Sequence, residues 1–256
     1  LMVPSMLYRL LESADAAAAD LSSLRVMYYG ASPMSPTKLM QLCERFGNLF
    51  VQLYASSEHP AVVASLSIAD HARRPGGDPE GHLLSAGRAV PGVELRVMDR
   101  EGKPLPRGVE GELWIRSRAI CLGYLHNPQK SAEEFRDGFW KSGDVGRIDD
   151  DGFVHVIDRT KDTIVCDGVN VYPTRVEAVI SAHPAVMMAA VVGIEGAARG
   201  ERVHAEVVLR QGASVSSDEL MAFAGDRLAP TSRPATNHIV DALPRSPVGK
   251  VLKKDL

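Results

Sequence analysis

Residues 158–177 read DRTKDTIVCDGVNVYPTRVE, and this stretch separates two kinds of sequence pattern. Before it, short apolar runs alternate with a helical pattern and then with turn-rich segments. After it comes a compact series of helix and strand patterns, which Pro173 opens at a first-turn position. The sequence therefore predicts a boundary near residues 158–161, with domains at 1–158 and 159–256. Taken alone, the charged start of the stretch fits either a surface turn or a hinge.

The composition is that of an ordinary globular protein and argues against several functional classes. The chain has 256 residues, of which 45% are hydrophobic and 24% charged. Lys and Arg total 29 against 32 for Asp and Glu, a net charge of −3 that predicts no nucleic-acid surface. No apolar run approaches the roughly 20 residues of a membrane-spanning helix. We therefore predict no nucleic-acid partner and no transmembrane segment.

The cysteines and the first residues give further expectations. Cys43, Cys121 and Cys166 show no C-x-x-C spacing, which predicts neither a metal site nor a disulfide framework but a reducing, cytoplasmic location. The start, LMVPSMLYRLLES, lacks the basic region and cleavage site of a signal peptide. Because it begins inside an apolar pattern, it fits a chain that starts partway through a domain. A processed or trimmed terminus fits it equally well.

The first third of the chain has the pattern of a parallel βαβ unit. Apolar runs at 24–29 and 49–54 flank a helical pattern that runs from Ser35 to Phe46. In such sheets ligands bind outside the carboxyl ends of the strands. Those ends here are YGASP (29–33) and YASSEHP (54–60).

The remaining segments indicate antiparallel strands and then an α+β portion. VELRVMD, GELWIR and GFVHVIDR are short strands separated by turns, and DDDG at 149–152 is a hairpin turn rather than a cation site. Beyond residue 158 the pattern predicts a helix at 173–183, strands at 185–194 and 202–210, a helix from Ser216 or Ser217 to about 228, and a strand at 235–243. The predicted fold class is α/β followed by α+β.

Three stretches carry residues suited to chemistry, each with a plainer alternative. YASSE offers an aromatic face, two hydroxyls and a carboxylate, although alone it is better explained as a helix cap. In WKSGDVG, Asp144 suits the two hydroxyls of a ribose, or is a turn residue. In PRSPVGK, Lys250 on a shaped loop suits a developing negative charge, or is a solvated lysine.

The order and spacing of these stretches are more specific than any one of them. YGASP, YASSE, GELWIRSRAICLGYLHNP, WKSGD, DRTKDTIVCDGVNVYPTRVE and PRSPVGK follow one another in the chain. This series resembles the adenylate-forming superfamily over essentially the whole chain. VYPTRVE and LPRSPVGKVLKKDL resemble the fatty-acid and aryl-acid CoA ligases most. The resemblance implies the C-terminal part of a large AMP-binding domain, followed by a small mobile domain.

The resemblance implies a reaction in two steps. A carboxylic acid attacks the α-phosphate of ATP, with Mg²⁺, to give an acyl-adenylate; a thiol, usually coenzyme A, then displaces AMP. Between the steps the small domain rotates about a hinge. The implied ligands are thus the acid, ATP or AMP, Mg²⁺ and coenzyme A. Transfer to a carrier-protein pantetheine, or to oxygen, stays open at this point.

The resemblance also assigns roles to individual positions. Nucleotide binding is implied for Gly30, Ala31, Ser32, Tyr54, Ser57, Asp144 and Arg159. The implied catalytic residues are Glu58, as the Mg²⁺ ligand, and Lys250, which touches the substrate carboxylate and the α-phosphate in the first step only. Lys161 stands at the hinge position, and Gly168 in the loop that meets the pantetheine chain.

Several positions depart from the family pattern. Ala55 and Ser57 replace the usual Gly and Thr, while Asp158 and Asp167 stand where many members have Gly. A positive φ at Ala55 would make its methyl crowd the adenine, and a carboxylate at 167 would repel coenzyme A phosphates.

The chain also has no phosphate loop of the type TSGTTGxPKG. We therefore expect it to be inactive in adenylation by itself, because loss of even one such donor costs on the order of 100-fold. The alternative is a non-catalytic truncated homologue that binds AMP, an acyl group or a partner. The sequence does not identify the acid, and its oligomeric state, a homodimer included, stays open.

Overall fold

A computed structural model describes residues 1–71, 82–196, 200–246 and 251–256. The chain divides into two compact units, Leu1–Val156 and Ile157–Leu256. Each unit has its own hydrophobic cores.

The first unit begins with a sheet that contains the predicted βαβ unit. Its helices and strands are α1 (Pro4–Glu12), α2 (Ala14–Ala18), β1 (Met27–Gly30), α3 (Pro36–Phe46), β2 (Phe50–Tyr54), β3 (Ala64–Leu66), α4 (Ile68–His71) and β4 (Arg88–Ala89). Strands β1 and β2 are parallel and α3 connects them, as predicted. The Ser35 hydroxyl caps α3 by accepting from the Lys38 amide at 3.4 Å, and Pro36 occupies the first turn.

A buried histidine lies beneath this sheet. The His71 Nδ1 nitrogen is 2.7 Å from the Ser67 carbonyl, to which it donates, and its Nε2 is 3.0 Å from the Tyr29 hydroxyl. Both side chains are buried, and the loss of hydration lowers the pKa of His71. The imidazole is therefore a neutral member of a packed hydrogen-bond network.

An antiparallel sheet follows, as the short strand patterns predict. Its strands are β5 (Glu94–Met98), β6 (Gly111–Arg116), β7 (Phe135–Arg136), β8 (Phe139–Ile148) and β9 (Val154–Arg159), and helix α5 (Pro128–Glu134) lies between β6 and β7 in the chain. The strand order is β5-β6-β8-β7, with β9 also paired to β8. Residues 149–152 form the predicted turn, in which the Gly152 amide donates to the Asp149 carbonyl at 3.0 Å and Gly152 has a φ of 84°. Helix α5 was not predicted.

The second unit is a three-stranded sheet covered by two helices. Its elements are β10 (Ile164–Cys166), β11 (Val169–Val171), α6 (Pro173–Ser181), β12 (Val186–Glu195), β13 (Glu201–Leu209), α7 (Ser217–Gly225) and β14 (Thr236–Ile239). Single 3₁₀ turns lie at Thr160–Asp162, Pro230–Ser232 and Lys253–Asp255. In the sheet, β12 is antiparallel and β14 parallel to the central β13.

Three elements of this unit end earlier than predicted, and the first of them, α6, ends at Ser181 rather than at 183. Ser216 caps α7 through a capping box with Glu219, but the helix ends at Gly225 rather than at 228. Strand β14 ends at Ile239 rather than at 243, because the chain then leaves the sheet edge and buries Leu243 against Ala190 and Val208. No helix in the described part of the chain is long and apolar enough to cross a membrane.

Candidate active site

The loops after β1 and β2 begin side by side at one edge of the first sheet. Gly30 pairs with Leu53 in the parallel register, so the loop after Gly30 starts next to Tyr54. A Cβ atom on Gly30 would lie 2.3 Å from the Leu53 carbonyl oxygen, so only glycine allows this approach. Ala31 has a left-handed φ of 70°, and Ala31 and Ser32 are exposed. The predicted loop residues and Tyr54 therefore share one sheet edge.

Tyr54 and Asp144 are in direct contact although they are distant in sequence. The Tyr54 hydroxyl donates to Asp144 Oδ2 at 2.5 Å. Asp144 is only 7% exposed, and its amide donates to the Ser142 hydroxyl at 3.0 Å. Ser142 in turn donates to the Leu113 carbonyl at 2.7 Å. A tyrosine ring and a carboxylate predicted separately for nucleotide binding thus form one hydrogen-bonded unit.

A bulge in β8 presents Asp144 to Tyr54. The register of β6 on β8 shifts between Glu112, which faces Val145, and Trp114, which faces Lys141. Gly143 within this irregular stretch has a φ of 69°. Such bulges redirect side chains out of the regular alternation. The glycine before Asp144 is explained by this backbone conformation, and Asp144 lies in a strand rather than in a turn.

Glu58 lies close to a second carboxylate through a shared tyrosine. The Tyr124 hydroxyl is 3.0 Å from Glu58 Oε1 and 2.5 Å from Glu134 Oε2. Burial, and then the hydrogen bond to Glu134, raise the pKa of Tyr124, so its hydroxyl stays protonated and can donate to one of the two carboxylates. Sequence reasoning missed Tyr124 and Glu134. Tyr124 lies in the quoted GYLHNP segment, but only packing reveals its contact with Glu58.

The helix-cap explanation of YASSE is wrong. No helix begins at residues 56–58, all of which the structure describes. The Ser56 hydroxyl instead accepts from the His59 amide at 3.1 Å within a turn, and Ser57 is exposed. The concern about Ala55 is also unfounded, because positive φ among the described non-glycine residues occurs at Ala31, His126, Asp137 and Asp167.

The second unit carries the predicted ribose arginine and the predicted hinge. Arg159 ends β9, and Lys161 follows in the 3₁₀ turn; both side chains are exposed. Next to them, buried Asp158 accepts from the Arg159 amide at 2.8 Å and from the Thr174 amide at 2.9 Å. The Thr174 hydroxyl donates to the Ile157 carbonyl at 2.6 Å. Asp158 thus caps the first turn of α6, which explains a carboxylate where glycine is common.

Gly168 forms the tip of a tight hairpin. Cys166 pairs with Val169, and the two residues between them, Asp167 and Gly168, have φ values of 51° and 78°. Two consecutive positive φ angles define the type I′ turn, for which Asp-Gly is a favoured sequence. Aspartate tolerates this region better than most residues, so Asp167 has a conformational reason for standing beside Gly168. Both residues are exposed.

Lys250 lies outside the described residues, as does all of 247–250. The residues on either side of that segment are anchored in the second unit. Arg245 and Val251 form a β-bridge, and the Lys253 ammonium lies 2.7 Å from Glu177 Oε1. The ends of the predicted catalytic loop are therefore close together.

Two protein-family models match the chain and show the family to which it belongs. Residues 1–125 match the model of the AMP-binding enzymes, and residues 175–250 match the C-terminal domain of AMP-binding enzymes. The chain belongs to the AMP-binding enzyme family. Gly30, Tyr54 and Glu58 fall in the first matched range and Lys250 ends the second, whereas Asp144 lies between the two.

This AMP-binding enzyme chain is similar to ligases that use different acceptors. It is 38% identical over 261 residues to a medium/long-chain-fatty-acid–CoA ligase of Mycobacterium tuberculosis, covering 99% of this chain and 44% of that protein. It is 38% identical over 256 residues to a fatty acid–[acyl-carrier-protein] ligase of Streptomyces coeruleorubidus, covering 100% and 48%. The structure of an amide bond synthetase from Marinactinospora thermotolerans matches with a TM-score of 0.88 at 38% identity, covering 99% of this chain and 50% of that one.

These matches confirm the predicted adenylate-forming family and its mixed α/β fold. The chain spans about half the length of the curated relatives it matches. The roles of the individual site residues stay predictions.

Proposed function

We propose that the protein carrying this chain is an AMP-forming acid–thiol ligase that activates a fatty or aryl carboxylic acid and transfers it to coenzyme A. Family membership and the fatty-acid–CoA ligase relative support this activity. The observation that carries it is the hydrogen bond between Tyr54 and Asp144, which joins an aromatic face to a largely buried carboxylate.

In the proposed first step, the substrate carboxylate attacks the α-phosphorus of ATP. A new P–O bond forms, and the bond to pyrophosphate breaks. The Tyr54 ring stacks on adenine, next to the loop Gly30–Ala31–Ser32. A carboxylate has about four acceptor positions, so Asp144 can accept from ribose hydroxyls in addition to Tyr54. Arg159 also reaches the ribose, Ser57 the α-phosphate, and Lys250 the negative charge that develops there.

Mg²⁺ binding is proposed for Glu58. Mg²⁺ in nucleotide sites is held by one or two carboxylates together with phosphate oxygens, and it neutralises their charge. The donor set fits, because Glu58 is a half-buried carboxylate with Glu134 nearby and Tyr124 hydrogen-bonded between them. Tyr124 would orient Glu58 in the way that outer hydrogen bonds orient metal ligands.

In the proposed second step, the thiol sulfur of coenzyme A attacks the acyl carbonyl. A C–S bond forms, the thiol gives up its proton, and the C–O bond to AMP breaks. Rotation at Lys161 brings the exposed hairpin with Gly168 to the pantetheine chain. Gly168 itself has no side chain, which allows a close approach of the ligand at that position. A carrier-protein pantetheine is the second candidate thiol, because a relative with 38% identity is a ligase of that kind.

The 256-residue chain on its own is proposed to be inactive in adenylation. It contains no segment of the type TSGTTGxPKG, so it lacks those backbone donors for the β- and γ-phosphates. The intact mass of the native protein in its source cell decides which polypeptide to assay. A mass about twice the 27.6 kDa of this chain identifies a longer enzyme, whereas a mass equal to it favours a non-catalytic AMP- or acyl-binding homologue.

The proposed activity is tested on the intact encoded protein by pyrophosphate exchange with a panel of fatty and aryl acids. Asp144→Asn should lower kcat/KM for ATP about 10- to 100-fold, because hydrogen bonds to charged groups contribute about 1.5–3 kcal/mol. Asp137→Asn is the matched control, since Asp137 is exposed and its φ of 54° suits asparagine. Wild-type kinetics for ATP in Asp144→Asn would refute the ribose role. No exchange with any acid would refute the ligase activity.

A further inference from the structure

The sheet of the second unit has a polar face that the proposed ligase activity does not use. Strand β13 alternates, and its residues Val203, Ala205 and Val207 are buried in the core with α6 and α7. Side chains alternate between faces along a strand, so His204 and Glu206 point to the opposite face. This places a histidine and a glutamate on the side of the sheet away from these two helices.

The neighbouring strand adds a second histidine to this face. In the parallel pairing of β13 and β14, Thr236 is opposite His204 and His238 is opposite Glu206. Residues paired in this way share a face. One possible ligand atom from each of His204, Glu206 and His238 lies within 4.8 Å of the others. The two imidazole centroids are 4.8 Å apart.

Thr236 orients the more deeply buried imidazole. Its hydroxyl oxygen lies 2.8 Å from His204 Nδ1. When Nδ1 carries the proton and donates to this oxygen, Nε2 carries the lone pair. Metal-binding histidines nearly always engage their second ring nitrogen in such a hydrogen bond, which sets the tautomer and the ring orientation. His204 thus has the outer partner that a metal ligand requires.

We propose that His204, Glu206 and His238 form a binding site for a divalent transition-metal ion of the Zn²⁺ type. Two imidazoles and one carboxylate are a donor set that zinc uses, with the fourth position left to water or another ligand. Imidazole donors favour Zn²⁺, Co²⁺, Ni²⁺ or Cu²⁺ over Mg²⁺, which prefers oxygen. The site is therefore chemically distinct from the Mg²⁺ position proposed at Glu58, and it does not depend on the ligase activity.

Binding of an ion would require the three ligand atoms to move closer together than they are in this structure. Ligand atoms around a tetrahedral zinc ion are roughly 3.3 Å apart, given bonds of about 2.0–2.1 Å. His204 is buried, Glu206 is half-buried and His238 is exposed. Binding would therefore draw the two more accessible side chains towards the buried His204. The exposed His238 also provides the path by which an ion enters.

A bound ion would link a short edge strand to the centre of its sheet. Strand β14 has only four residues and pairs only with β13 among the described strands. An ion held by His238 on β14 and by two residues on β13 cross-links the two strands. Metal binding should therefore protect the β14 amides from hydrogen exchange as well as give a binding signal.

The test is a calorimetric titration of the tag-free intact protein with Zn²⁺. The absorption spectrum of the protein with Co²⁺ is a second readout. The wild-type protein should bind Zn²⁺, and His238→Ala and Glu206→Gln should each lower the affinity at this site at least about 10-fold. The Co²⁺ bands of a site with nitrogen ligands should be lost in the same variants. His126→Asn is the matched control, because His126 is exposed and its φ of 55° suits asparagine.

Thr236→Val separates a metal site from a merely structural hydrogen bond. It keeps all three ligands and should weaken Zn²⁺ binding about 10-fold, whereas the unfolding midpoint without metal serves as the folding control. Equal Zn²⁺ binding by the wild type, His238→Ala and Glu206→Gln would overturn the proposal. Absence of any Zn²⁺ heat or Co²⁺ band in the wild type would overturn it as well.

Discussion

The two units hold their predicted site residues in different ways. In the first unit, Tyr54 and Asp144 are tied by a side-chain hydrogen bond, and the Tyr124 hydroxyl lies within hydrogen-bond distance of both Glu58 and Glu134. In the second, Lys161 and Gly168 are exposed and stand on a 3₁₀ turn and a hairpin tip. In the first unit, hydrogen bonds orient the site side chains before a ligand arrives. In the second unit, the site residues are accessible, and their positions depend on the backbone conformation. Different substitutions should therefore disturb the two units.

The largest effect is expected from Lys250→Ala in the intact protein. Loss of this ammonium should lower adenylation by about 100-fold or more, because it would remove the charge proposed to stabilise the transition state. Thioester formation from supplied acyl-adenylate should continue. Quench-flow assays of the two half-reactions measure this split, with Lys254→Ala, an exposed lysine nearby, as the control. Equal loss of both half-reactions would show that Lys250 does not act in the first step alone.

Lys161→Pro tests the dependence of the second unit on its backbone. Proline fixes φ and restricts the residue before it, so rotation at this turn should be impeded. We expect near-normal pyrophosphate exchange and a strong loss of thioester formation. Lys161→Ala, which removes only the side chain, should keep both half-reactions. Normal coenzyme A turnover in the proline variant would place the pivot elsewhere.

Asp158→Ala tests the role of a buried carboxylate, which differs from the exposed site residues of the second unit. Helix caps contribute about 0.5–2 kcal/mol, and the Thr174 amide loses its acceptor in this variant. Amide exchange of α6, followed by mass spectrometry, should accelerate roughly 3- to 30-fold. Asp158→Asn keeps an oxygen for one of the two amides and should accelerate exchange less. Unchanged protection of α6 in Asp158→Ala would argue against the capping role.

The smallest effect is expected from His71, and it concerns pH. Burial lowers the pKa of His71 in the folded state, while an unfolded histidine has a pKa of about 6.5. Above that pH both states are neutral; as the pH falls below it, the unfolded state binds the proton first and the free energy of unfolding decreases. The slope is at most about 1.4 kcal/mol per pH unit for one proton. Urea unfolding from pH 7.5 to 5.5 should show this decrease, and His71→Gln should reduce it. Equal slopes would exclude His71 as its source.

The sequence predicts the larger elements well where local signals and apolar periodicity agree. Helix α3 has Ser35 as its cap, Pro36 in its first turn and Leu39 and Leu42 on its buried face. Helix α5, in contrast, has the sequence PQKSAEE and buries no residue, so it offers no apolar period to detect. Its local signals are the cap Asn127, which accepts from the Lys130 amide at 3.1 Å, and Pro128 in the first turn.

The site is predictable as a set of residues but not as a geometry. Motif order identifies Tyr54 and Asp144, yet their contact joins positions 90 residues apart and depends on a bulge. The sequence likewise shows Asp167 only as a departure from the family's glycine, and its φ of 51° shows that the turn suits aspartate. Long-range pairing and local backbone irregularity are set by tertiary packing, which a short pattern does not contain.

The bonds around Thr174 have a mechanical consequence. Thr174 lies after Lys161 in the chain, but its amide and hydroxyl bind Asp158 and Ile157, which precede it. These two hydrogen bonds therefore bridge the turn that contains Lys161 and oppose twisting of its backbone. If Lys161 is the pivot proposed above, rotation there would have to break both hydrogen bonds and could form them again on return. The torsional stiffness of this turn thus depends partly on Thr174, a residue that lies outside it.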